Sequence, residues 1–163
     1  MKRPILAAVL ILAIGAGGAL ALPYVWLPTG TSTVSLWWAA DTFKQCSREA
    51  PQGGEPYWLP TGQQIFDLEL RLWALMRDRD ARGLRAPRKF QQFQRQYIGF
   101  TRNGERLIYA NVYPQDDYGW EAWTLFNKPV LICDGGNFFW GIVYNPATGK
   151  YEEPSFNGPR SPE

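Results

Sequence analysis

Asn103-Gly104, set between two runs of strand-forming residues, limits the possible folds of this chain more than any other feature. The dipeptide tolerates positive φ at both positions and closes a two-residue hairpin turn. Residues 94–101 and 105–113 then pair antiparallel, with Phe100 opposite Leu107 and Ile98 opposite Tyr109 on one face. Tyr97, Ile108, Ala110 and Val112 fall on the other face. A hairpin that is apolar on both sides needs a cover on both. One cover is the helix described next; the other has to be the upstream lead-in or a partner.

Upstream, Thr61 with Gln64 three residues on is a capping-box pattern that opens a helix. Ile65, Leu68, Leu72, Leu75 and Met76 recur at three- and four-residue steps and predict a helix over residues 62–82, with Trp73 and Phe66 widening its apolar stripe. Gly83 and Pro87 stop it. Downstream, residues 129–133 and 138–144 read as a second hairpin across Asp134-Gly135-Gly136-Asn137, followed by a weak edge strand over 150–156 that contains Pro154. One helix followed by four or five antiparallel strands is an α+β domain, with the amphipathic helix packed on the sheet, over residues 61–158. Residues 22–60 form an irregular, aromatic-rich lead-in with a short helix expected within 34–46, and residues 159–163 a tail. The chain has 163 residues, 45% apolar and 20% charged, with 8 Trp, 8 Tyr and 9 Phe, which excludes disordered, collagen-like and coiled-coil classes.

The amino terminus reads as an export signal. Lys2 and Arg3 precede an uncharged run over residues 4–27, and Ala19-Leu20-Ala21 offers a small-x-small cleavage pattern, which makes residues 1–21 a signal peptide. The alternative is an uncleaved anchor to about residue 27, long enough to cross a hydrocarbon core of about 30 Å. Both place the body on the far side of the inner membrane, because Lys2 and Arg3 stay inside. The expected location is therefore periplasmic, or inner-membrane anchored facing the periplasm. In such an oxidising compartment Cys46 and Cys133, the only cysteines, either form a bridge or stay a buried Cys133 and an exposed Cys46.

Loss of residues 1–21 leaves fifteen basic and fifteen acidic side chains. Histidine is absent, which removes the commonest general base and metal ligand, and neither dinucleotide nor P-loop patterns occur. No metal or cofactor is expected, and an enzyme is the less favoured class. What remains for catalysis is carboxylates: Asp134 with Asp117 or Glu121 would serve a two-acid hydrolase, whereas Asp116-Asp117 as a solvated loop tip and Asp134 as a turn residue is the plainer reading.

Arg82, Arg85, Arg88 and Lys89 form a basic patch among aromatic residues. Export argues against nucleic acid as its partner and leaves anionic membrane surface, or simply a solvated helix end, where basic residues favour the dipole. Eight tryptophans exceed what one core absorbs, so some reach the surface. Trp73 and Trp140 are expected in the core, and Trp120 and Trp123 in a loop beside the Asp134, Gly135, Gly136, Asn137 turn are expected to make contacts. The expected function is an exported, non-enzymatic domain binding a protein or polymer of the envelope, with membrane attachment through residues 4–27 open.

The set Tyr57-Trp58-Leu59-Pro60-Thr61, Arg95-Gln96-Tyr97-Ile98-Gly99, Arg106-Leu107-Ile108-Tyr109-Ala110-Asn111, Cys133-Asp134-Gly135-Gly136, Phe139-Trp140-Gly141 and Phe156-Asn157-Gly158 resembles a group of small exported bacterial proteins of unassigned function. The resemblance covers about residues 57–158. It implies a secreted or envelope-located α+β domain and brings no activity with it.

Overall fold

The structure, a computed structural model, describes residues 27–81, 93–115, 127–152 and 154–158. Its elements are β1 (Thr31–Thr33), β2 (Gly54–Trp58), helix α1 (Gly62–Ala81), β3 (Phe93–Arg102), β4 (Glu105–Pro114), β5 (Trp140–Asn145), β6 (Lys150–Tyr151) and β7 (Ser155–Phe156). Short 3₁₀ turns occur at Leu36–Trp38, Ala40–Phe43 and Gly136–Phe138.

The β3–β4 hairpin forms as its turn chemistry dictates. Asn103 and Gly104 carry φ of 53° and 80°, and Arg102 pairs Glu105 across them. Phe100 then faces Leu107 and Ile98 faces Tyr109, in the expected register. The helix cap is reciprocal: Gln64 N donates to Thr61 Oγ1 at 3.2 Å, and Thr61 N donates to Gln64 Oε1 at 2.9 Å. Ile65, Leu68, Leu72 and Met76 bury against Tyr97, Ile108, Ala110, Val112, Trp140 and Tyr144, and this is the larger core. Trp58 joins it by lying across Gly99, where a Cβ would come within 2.3 Å of the indole.

The opposite face of the sheet is covered by the lead-in. Val34, Ala39, Trp38 and Phe43 pack on Ile98, Phe100, Leu107, Tyr109 and Val143 in a second cluster. The domain is therefore a sheet between two covers, and the lead-in supplies the one that the hairpin's second apolar face requires.

Several expectations need correction. The sheet is mixed rather than antiparallel: β1 runs parallel to β3, with Thr31 beside Arg95 and Thr33 beside Tyr97. The lead-in is less irregular than expected, because β2 also joins β3. Where one short helix was expected over 34–46, two 3₁₀ turns stand. Residues 129–133 do not form a strand. Their backbone is held by side-chain amides instead, with Val130 N donating to Gln96 Oε1 at 2.8 Å, Asn111 Nδ2 donating to the Val130 carbonyl at 2.8 Å and Asn157 Nδ2 donating to that of Ile132 at 2.6 Å. Side-chain partners satisfy these groups as well as a ladder would, so the segment crosses the outer face and β5 takes the place beside β4. The edge strand is split into β6 and β7, both on β5.

Candidate functional site

Helix α1 carries two apolar stripes rather than one. A residue advances about 100° around a helix, so Phe66, Leu70 and Trp73, spaced at four and three, line a face next to the buried one. They are 49%, 57% and 43% exposed. Trp73 and Phe66 thus do not enter the core as expected, whereas Trp140 does. Together with Pro28 and Thr29 of the lead-in they wall an open groove of about 430 Å³, with Glu69 and Arg95 at its floor.

The floor is a buried ionic unit. Arg95 Nε donates to Glu69 Oε1 at 3.0 Å and Nη2 to Oε2 at 2.7 Å, a two-point pairing, and the Tyr97 hydroxyl donates to Oε1. Arg95 also donates to the carbonyls of Phe93 and Thr29, at 2.5 and 3.1 Å, which fixes the lead-in to β3 at the rim of the groove. Burial alone would lower the Arg95 pKa, but the hydrogen bonds and charge of Glu69 outweigh it and hold the guanidinium above its ordinary value. Burial first, then the neighbouring Glu69 carboxylate, push the Tyr97 hydroxyl well above its ordinary 10.0. Both carboxylate oxygens of Glu69 are engaged, so Glu69 neutralises and orients Arg95. The arrangement offers an aromatic ridge above a sealed ionic base, which suits contact with an apolar surface.

The sequence-predicted site lies elsewhere. Asp134 and Asn137 are exposed in a turn on the side of the sheet that carries Tyr109 and Asn111. Its glycines have structural causes: a Cβ at Gly135 would sit 1.8 Å from the Phe139 ring, and Gly136 adopts φ of 58°. Trp120 and Trp123, expected beside this turn, lie outside the described residues, as do Asp116, Asp117 and Glu121 of the two-acid reading and Arg82, Arg85, Arg88 and Lys89 of the basic patch. Among the described residues no group of three His, Cys, Asp or Glu side chains converges as metal ligands would.

Cys46 and Cys133 form a disulfide, with Cα atoms 5.1 Å apart across a separation of 87 residues. Beside it, Gly158 N donates to the Ser47 carbonyl, and Arg48 donates to Asn111, Asn157 and Tyr109. The bridge and these bonds fasten the lead-in over the outer face. Among the described residues no helix is long and apolar enough to cross a membrane.

Sequence reasoning passed over Glu69, Leu70 and the surface role of Phe66 and Trp73. The available signal was the second stripe itself: two apolar faces on one helix mean that the sheet takes only one. Comparison with protein-family models, curated proteins and solved structures returns no match.

Proposed function

We propose that the protein is an exported, non-enzymatic domain that binds a macromolecule of the bacterial envelope, and that the Phe66/Leu70/Trp73 ridge is its contact surface. The observation that carries this reading is the half-exposed ridge itself, standing over an ion pair whose groups already satisfy one another. Large apolar side chains left together in solvent at a groove are the usual mark of a contact surface. Two features support the placement outside the cytoplasm: the cationic, apolar leader and the Cys46–Cys133 disulfide. Cleavage after Ala21 makes the domain periplasmic; retention of residues 4–27 makes it an anchored domain facing the periplasm.

The test is a photo-crosslinking residue placed at Leu70 in the full chain in cells, with Asp134 as the comparison site. Adducts with envelope material at Leu70 are expected. Adducts at Asp134 alone would return the contact surface to the glycine turn, and none at either site would remove the binding role.

A further inference from the structure

Residues 27–29 lie at the groove. Leu27 packs on the helix-side core, and the next two residues, Pro28 and Thr29, are groove walls facing Phe66, Leu70 and Trp73. No polar spacer separates this wall from what precedes it: residues 22–27 read Leu-Pro-Tyr-Val-Trp-Leu, and the uncharged run reaches back to Pro4. Whether the leader is cut after Ala21 or kept, the segment joined to the groove rim is apolar and aromatic. A segment of that composition partitions to a bilayer or its interface, where Trp and Tyr settle at head-group level. Such a segment at a bilayer would bring the groove mouth to the same surface by covalent connection.

The ridge has the matching chemistry. Phe66 and Leu70 offer apolar bulk, and Trp73 lies under the Arg77 guanidinium at 4.8 Å from its ring centroid, which sets a cation beside an amphipathic ring as an interfacial position requires. The other exposed apolar pair, Leu36 and Trp37, belongs to the 3₁₀ turn over the opposite face and has no such continuity with the apolar run before Pro28.

We infer that the occupant of this surface is a phospholipid bilayer: the Phe66/Leu70/Trp73 ridge rests at the lipid head-group boundary and orients the domain with helix α1 toward the membrane and the disulfide-fastened lead-in face away from it. The inference rests on the ridge being the contact surface, and it puts the lipid bilayer in place of a macromolecule as what that surface touches.

The experiment uses the full chain reconstituted in vesicles of phosphatidylethanolamine and phosphatidylglycerol that contain a trace of lipid with a photoactivatable acyl chain. Adducts are mapped by proteolysis and mass spectrometry. Adducts at Phe66, Leu70 and Trp73 are expected, beyond any in residues 1–27. Their yield should fall by at least about tenfold in the Phe66→Ser/Leu70→Ser/Trp73→Ser variant, since three half-exposed apolar side chains are lost together, and be unchanged in Leu36→Ser/Trp37→Ser. Adducts confined to residues 1–27, or an equal yield on α1 from the triple variant, would overturn the bilayer as occupant. If lipid adducts on α1 are missing while the Leu70 crosslinker traps a protein in cells, the bilayer inference falls and the binding role stands; if both fail, both fall.

Discussion

Arg48 Nη2 donates to Asn111 Oδ1 at 2.5 Å, so a lead-in residue reaches the buried centre of the outer sheet face. The same guanidinium donates to Asn157 Oδ1 at 2.8 Å and to the Tyr109 hydroxyl at 3.2 Å. Three acceptors, two on β4 and one near the carboxyl end of the described chain, depend on it. Arg48→Ala is therefore expected to cost about 2–4 kcal/mol, because Asn111 is left buried with an unmet acceptor. Urea unfolding checks this, and Arg48→Lys, which restores charge but not the fork, should recover only part of the loss.

The ion pair beneath the groove is a case where breaking one partner should hurt more than removing both. Glu69→Gln removes the two-point carboxylate charge that faces the buried Arg95 guanidinium and is expected to destabilise by about 3–5 kcal/mol. The double change Glu69→Leu/Arg95→Met should cost less than that, and denaturant midpoints of the two variants compare them directly.

Breaking the bridge should loosen the whole outer cover. On the loop-entropy account, Cys46→Ser/Cys133→Ser should lower stability by about 4–5 kcal/mol for a loop closed across 87 residues. Thermal unfolding of the oxidised and double-serine proteins measures it. The change should expose the lead-in cover of Ile98, Phe100 and Tyr109 to hydrogen exchange before the helix-side core.

Alkaline pH should unfold the protein through its buried phenols. Burial raises the pKa of Tyr97, Tyr109, Tyr113 and Tyr151 above the ordinary 10.0. A raised folded value means that stability is intact below pH 10.0 and falls as pH climbs toward the folded values, since the unfolded chain releases protons that the folded one keeps. Each such tyrosine contributes a slope of about 1.4 kcal/mol per pH unit. Tyrosinate absorbance should rise in two stages, the later one coinciding with loss of secondary structure; titration of all tyrosines at one pH with the fold intact would contradict this.

The parts of the fold legible in the sequence were those with a strong local period or a strong turn. The Ile65, Leu68, Leu72, Met76 stripe and the Asn103-Gly104 turn carry their own instructions, and both faces of the hairpin packed as their alternation requires. β1 and β2 were not legible, because strands of three and five residues rich in Thr, Gly and Pro have no period to read and exist only because β3 offers an open edge. Residues 129–133 misled for the opposite reason: Val130 and Ile132 have strand propensity, but their partners are the amides of Gln96, Asn111 and Asn157, which no local pattern announces. For the groove, Trp73 and Phe66 were visible as apolar residues but not as exposed ones, since an indole one position off a core stripe is as apolar as one on it.

The most direct measurement of the central claim is oxidative footprinting of the native chain in intact envelopes against the purified protein in detergent-free buffer after its release. Phe66, Leu70 and Trp73 should be reactive in the purified domain and protected in the envelope, while Trp37, 86% exposed on the other side, reacts equally in both. Equal reactivity of the ridge in the two states, or protection of Trp37 with the ridge still open, would contradict the account.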